Sequence, residues 1–433
     1  MPQHCAAAAD RATQSSSVRS DHGRATLLER ATGRAAHLIR WALLAGFVGC
    51  AAGALSAAFI ETLDWATTSR EARDWLVWLL PLAGLAVGIA YHHGGKGLER
   101  GSNLIIEQIH EHNTGIPLRM SPLIFAGSTV SHLFGASVGR EGAALQLAAG
   151  VADPVGRRIG LNGPDRSLLL VTAIAGGFGS VFGVPVTGAV FALEVQRVGR
   201  IRYEGIIPAF VASIVGDATV RALGVEHTHY PSLPSFEWSF PLAWRMVLLG
   251  LAAGLVATGF VALTHRVRDT LNRLVRWYPL RPALGGVAVA ALVLVFGWRD
   301  HQGLSIHLAQ QAFAGSAAGF WPAKPLLTAV SVGSGFVGGE VIPMIVTGAL
   351  LGASVGSLLG ANVALCAMVG SVAVLAGAAN TPLACVILGV ELFGGSGVVL
   401  FGLACAVAYV SSGHRGIYGA QTVSAHKSGD GRG

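Results

Sequence analysis

The sequence predicts an all-α, polytopic membrane protein, and three observations carry that prediction. Only 12% of the 433 residues are charged, while 52% are hydrophobic; a soluble domain carries about 25% charged residues. Val341–Val390 runs for fifty residues without Asp, Glu, Lys or Arg, and Ser167–Leu193 and Met246–Thr264 are also uncharged. One helical span needs about 20 apolar residues, so the longest run must hold several passes or re-entrant pieces. Glycine is the third observation, at 59 residues. Small residues let helix backbones approach closely in lipid.

Other classes are disfavoured by composition. Cys5, Cys50, Cys366, Cys385 and Cys405 have the spacing of neither a disulfide frame nor a zinc site. Four of them lie in apolar runs and read as small hydrophobes. The net charge of +7 resides in arginines between spans, as the positive-inside rule expects, so it does not imply nucleic acid. His110-Glu111-His112 reads as an exposed polar loop rather than a metal site, and no cofactor motif stands out.

In chain order, residues 1–37 are polar and rich in Ser, Ala and Arg, and read as a disordered tail. Six arginines against three acidic groups in the first forty residues predict a cytoplasmic N-terminus. Residues 38–228 form a first membrane repeat. It has spans near 41–60 and 75–92, a helix opening at Gly101-Ser102-Asn103 with Ser102 or Asn103 as its cap, and helices near 120–137 and 143–156. A stretch at 167–196 follows, broken by Gly176-Gly177, Gly179 and Gly183-Val-Pro185, and then a helix near 205–223. A linker rich in His, Pro and Ser opens the second part, 229–414. Its first span ends in a basic loop holding Arg266, Arg268, Arg273, Arg276 and Arg281. Further spans lie near 282–297, 324–332, 342–359, 363–378, 381–393 and 396–412. Residues 415–433 are the last helix end and a short cytoplasmic tail.

The halves resemble each other. Gly183-Val-Pro185 through Glu194 matches Asn380-Thr-Pro382 through Glu391, with Pro on Pro and Glu on Glu. Gly135-Ala-Ser-Val-Gly139 recurs as Gly352-Ala-Ser-Val-Gly356. Matching Gly/Pro-broken segments in a membrane protein point to a transporter whose site lies at the repeat interface.

The candidate centre is Gly139-Arg140-Glu141-Gly142. A carboxylate at membrane depth is costly and is a functional candidate by default. An ion pair with Arg140 is the bland explanation, weakened because adjacent helical residues do not face each other. Amides at helix N-termini bind anions. An ionised Glu141 near such amides mimics a bound anion, and a protonated one vacates the place. Anion and proton occupancy are thereby linked through one side chain. Glu194 and Glu391, by contrast, read as helix-end carboxylates. Two enzyme patterns also occur. Gly135-x-Ser137-x-Gly139 near His132 fits a serine hydrolase, but the same five residues recur at 352–356 without a histidine. Gly333-Ser-Gly335-Phe-Val-Gly338 lacks the βαβ setting of a dinucleotide site.

At these residues the chain resembles the CLC family of chloride channels and proton-coupled anion antiporters. Gly139-Arg140-Glu141-Gly142 resembles the family's gating-glutamate motif. Gly101-Ser102-Asn103 is similar to its first anion-coordinating loop, and Gly338-Gly-Glu-Val-Ile-Pro343 to the helix start whose amides, here of Val341 and Ile342, face the anion. Ile417-Tyr418-Gly419 resembles the segment carrying the coordinating tyrosine. The resemblance implies a CLC-type fold of two inverted repeats with re-entrant broken helices, and a homodimer with one pore per subunit. It also implies halide and protons as the transported partners, no cofactor and no enzymatic activity, in a bacterial-style inner membrane.

The Gly-Gly-Glu-Val-x-Pro form and Asn103-Leu-Ile-Ile106 are most like the fluoride/proton antiporter branch. Val195 stands where chloride/proton antiporters commonly carry an inner proton-transfer glutamate, which the fluoride branch also lacks. Ser102, however, is chloride-like, and Ile342 replaces a threonine of the fluoride branch. Fluoride export driven by proton entry is the favoured expectation. A chloride channel or chloride/proton antiporter is the alternative within the family, and a membrane serine hydrolase the alternative outside it.

Overall fold

A computed structural model describes residues 3–111, 114–316, 319–424 and 427, so His112 of the polar triplet lies outside the described residues. By its contacts the chain divides into two units, Met1–Leu44 and Ala45–Gly433. The first is the leading part of helix α1 (Gln3–Glu71), whose backbone is helical also through the polar stretch expected to be a disordered tail.

Sixteen α-helices, among the described residues, fall into two sets of eight. The first set continues from α1 with α2 (Leu80–Gly94), α3 (Ser102–Glu111), α4 (Met120–Phe134), α5 (Glu141–Arg158), α6 (Gly163–Phe182), α7 (Pro185–Glu194) and α8 (Ile206–Ala222). The second comprises α9 (Phe240–Leu274), α10 (Leu280–Phe296), α11 (Ile306–Phe313), α12 (Ala323–Ser334), α13 (Val341–Leu358), α14 (Val363–Ala379), α15 (Pro382–Phe393) and α16 (Val398–Ser411). The sets correspond one to one. α6 packs on α5, α7 and α8, and α14 packs on α13, α15 and α16. Among the described residues, six helical segments are long and apolar enough to cross a membrane. The two-residue strands β1 (Arg197–Val198) and β2 (Thr422–Val423) pair in parallel.

Local chemistry sets the helix limits. Pro185 and Pro382 open α7 and α15, where a missing N–H costs nothing and the fixed φ suits the first turn. Gly135 and Gly335 close α4 and α12 with φ of 92° and 107°, the left-handed end that glycine adopts without penalty.

Several expectations change. α6 runs unbroken through Gly176, Gly177 and Gly179. A Cβ on Gly179 would stand 2.0 Å from Ser213 Oγ, so this glycine serves a close helix crossing, not a break. Only the turn at Gly183-Val184 separates α6 from α7. Gly352–Gly356 lies within α13, whereas 135–139 is the non-helical link between α4 and α5. The structural counterpart of that link is 335–339, between α12 and α13. The identical pentapeptides are therefore not equivalent. At 352 the small residue admits α14, since a Cβ there would meet Cys366 O at 2.1 Å. Arg266, Arg268 and Arg273 belong to the end of the long helix α9, and α11 was not foreseen.

Candidate functional site

The two repeats meet where α5 and α13 begin. Gly139 and Gly339 form an antiparallel bridge, with N–H to carbonyl distances of 2.6 and 2.7 Å in the two directions. Glycine is required there. A Cβ on Gly139 would lie 2.8 Å from both Glu141 Oε2 and Pro343 Cδ, and one on Gly339 would lie 2.6 Å from Gly142 N. The bridge brings the amide end of one helix to the amide end of its counterpart.

Glu141 is the first residue of α5 and is fully buried. Its Oε2 accepts from the Ile342 N–H of α13 at 3.2 Å. Its Oε1 has no hydrogen-bond partner, and neither has Arg140 Nε, 4.0 Å away. A carboxylate with one oxygen on a helix N-terminus and the other unbonded is only partly held. Val341, at the start of the same helix, is buried beside Ile342.

Ser102 is the first residue of α3, so it sits in the helix rather than capping it. Its Oγ reaches the carbonyl of Gly142 at 3.5 Å, linking the first loop to the turn after Glu141. Asn103 accepts the Ala420 N–H on its Oδ1 at 3.0 Å, which fixes the segment carrying Tyr418. Tyr418 is buried, its hydroxyl has no partner, and its ring meets Phe191 edge-on at 6.2 Å. An unsatisfied buried hydroxyl costs about 1–3 kcal/mol, so this one invites a ligand.

Ser102, Asn103 and Tyr418 line a single cavity of about 360 Å³, together with Gln146 and Glu340. Arg100, Arg268 and Arg281 line the same cavity beside Glu99 and Glu340, and an excess of cations over carboxylates raises the local concentration of anions. Arg140, Glu141, Val341 and Ile342 are not among its lining residues, and Arg140 Nε stands 4.0 Å from Glu141 Oε1. Gln146 and Glu340 were missed by sequence reasoning. Gln146 follows Gly142 by one helical turn and donates to its carbonyl at 3.0 Å; the i,i+4 spacing was the available signal. Glu340 stands in the second repeat where Arg140 stands in the first, a correspondence hidden until 135–139 is paired with 335–339.

Glu194 and Glu391 do something other than end a helix. Glu194 accepts from Leu383 N and Ala384 N at 3.1 and 2.8 Å, at the start of α15. Glu391 accepts from Val186 N, Thr187 N and Thr187 Oγ1 at 2.9, 2.7 and 2.6 Å, at the start of α7. Each helix thus caps the other. Val195 is buried, and its carbonyl accepts from Gln421. Ser137 Oγ is bonded to His301 O and Thr328 Oγ1, and His132 Nδ1 to Ser128 O. The serine and the histidine are thus engaged elsewhere and form no catalytic pair.

Comparison with known proteins gives the family and the fold. Residues 84–413 match the family model of the voltage gated chloride channel. A relative from Pseudomonas syringae pv. tomato, described as a chloride/fluoride channel protein, is 43% identical over 401 residues, covering 90% of this chain and 88% of its own. The crystal structure of a CLC-type fluoride/proton antiporter superposes with a TM-score of 0.86 at 30% identity, covering 89% of this chain and 98% of the other. A slow cyanobacterial chloride/proton antiporter shares the fold, with a TM-score of 0.75 at 19% identity over 88% and 96% of the two chains. The chain belongs to the CLC family, the voltage gated chloride channels, and is a multi-pass membrane anion transporter rather than an enzyme.

Proposed function

We propose that this transporter exports fluoride in exchange for protons, with Glu141 as the residue both ions use. The observation that carries the reading is the Glu141 carboxylate on the Ile342 amide, with its second oxygen unbonded. In this reading an anion that passes from the cavity to the buried start of α13 competes for that amide. A protonated Glu141 no longer competes, because the helix N-terminus favours negative charge. Each exchange of anion for carboxylate then moves a proton the opposite way. In this reading Gly139 and Gly142 keep the backbone close, and Arg140 supports Glu141. Val341 and Ile342 present amides to the anion, and Ser102 and Tyr418 offer it hydroxyls. Asn103 holds Tyr418 in place. Fluoride is strongly hydrated, so its entry needs donors that offset dehydration.

The Gly338-Gly-Glu-Val sequence and the neighbouring fluoride/proton antiporter support fluoride. A chloride-transporting reading is favoured by one observation, the Ser102 hydroxyl in the cavity wall. The working form is a homodimer with one pathway per subunit in the inner membrane, with both termini cytoplasmic. Purified protein in liposomes loaded with fluoride or chloride tests the choice. Fluoride efflux well above chloride efflux is expected. Equal rates would sink the fluoride reading, and a Ser102→Asn variant that gains fluoride preference would make the parent chloride-like.

A further inference from the structure

Lys324 is a fully buried cation that the exchange reaction does not use. It lies in the first turn of α12, with 0% exposure. Its ammonium donates to His301 O at 3.1 Å, Gly303 O at 2.6 Å and Ser305 Oγ at 3.0 Å. An ammonium has three protons, so all of them are engaged. No carboxylate pairs with it among the described residues. Burying a charge this way is costly unless it is fully hydrogen-bonded, and a group retained at that cost holds something in place.

What it holds is a strained strap. Gly303 and Ser305 both have positive φ, of 58° and 56°. For serine this is an uncommon backbone that persists only where the surroundings enforce it. The strap in turn grips the link leading to Glu141. Gly303 N donates to Ala136 O at 3.2 Å, Gln302 Nε2 to Gly135 O at 3.3 Å, and Ser137 Oγ to His301 O at 3.1 Å. Four residues further on is Glu141. A chain of hydrogen bonds therefore runs from Lys324 through 301–305 to 135–137, and the backbone carries it on to the start of α5.

We infer that Lys324 is a positioning residue for the gate: through the 301–305 strap it sets the link at 135–138 and with it the placement of the Glu141 carboxylate on α13. The inference rests on the role proposed for Glu141, so its test separates the two. Fluoride efflux and proton movement are recorded from liposomes holding wild type, Lys324→Met, Glu141→Gln and the double variant.

In the wild-type background, Lys324→Met lowers proton-coupled efflux about tenfold, within the range seen for residues that modulate coupling from a distance. In the Glu141→Gln background the same substitution changes residual anion efflux by less than about twofold, because coupled residues are not additive. Equal losses in both backgrounds, or no loss in the first, overturn the inference while leaving Glu141 its role. Proton movement that persists in Glu141→Gln overturns both. If Lys324→Met does not yield a monodisperse protein, Ser305→Ala removes one of the three acceptors, and the same cycle with that variant decides by the same criteria.

Discussion

Two places in the molecule set carboxylates against helix N-termini, and they differ in how completely the carboxylate is held. At the α7–α15 pair, Glu194 and Glu391 each use both oxygens, together taking five hydrogen bonds from the opposite helix. The arrangement is reciprocal and closed. At the α5–α13 pair the backbone is just as symmetric, bridged through Gly139 and Gly339, but the side chains are not. One repeat presents Glu141 with a single cross-helix hydrogen bond and an unbonded oxygen, and the other presents Val341. The same interaction makes a clamp where it is saturated and, in the proposed function, a gate where it is left incomplete. Internal symmetry supplies the meeting of helix ends, and breaking it leaves one carboxylate oxygen unbonded.

The contrast can be broken most severely at Gly139. A methyl group there would sit 2.8 Å from Glu141 Oε2 and 3.0 Å from Gly339 O. Gly139→Ala should part the two helix starts and bring halide efflux from liposomes to background, and wild-type efflux would refute the close approach.

The clamp should respond in stability rather than coupling. Glu391→Ala removes three bonds and Glu194→Ala two; bonds to charged groups are worth about 1.5–3 kcal/mol each. Thermal unfolding in detergent should show Glu391→Ala losing more than Glu194→Ala, with proton-to-anion stoichiometry kept in whatever protein survives. A changed stoichiometry would blur the distinction.

Tyr418 sharpens the gate side. Its hydroxyl has no partner, so Tyr418→Phe should not lower the melting temperature. As an anion donor its loss weakens apparent halide affinity by about tenfold, near the lower end of the ~1.5–3 kcal/mol of a hydrogen bond to charge. Reduced stability with unchanged affinity would make it a structural residue.

The smallest effect concerns the strap beside the gate. Burial first, and then the Lys324 cation, push the His301 imidazole down to about 4. The unfolded chain titrates near 6.5, so between about pH 6.5 and about 4 it binds a proton that the folded chain refuses, and stability falls on acidification. His301→Gln should flatten the dependence of melting temperature on pH across that window.

Much of this was legible in the sequence. The uncharged runs gave the membrane class, and the Pro-to-Glu match at 183–194 and 380–391 gave the repeat. Glu141 stood out because a carboxylate among glycines in an apolar chain needs a reason. Ser102 and Tyr418 were found only through motif resemblance, since neither hydroxyl is unusual locally. What stayed hidden depends on contacts distant in sequence. Identical pentapeptides suggested the wrong equivalence, because Gly-Ala-Ser-Val-Gly serves a turn in one place and a tight helix crossing in the other. The reciprocal caps of Glu194 and Glu391 span about two hundred residues, and Lys324 is an ordinary lysine until its three carbonyl and hydroxyl partners come together.

The most direct measurement is simultaneous recording of fluoride efflux and internal pH from liposomes carrying wild type or Glu141→Gln. Wild type should acidify the lumen as fluoride leaves, and Glu141→Gln should pass fluoride, if more slowly, with no pH change. Proton movement that continues in Glu141→Gln would contradict the shared role of that carboxylate.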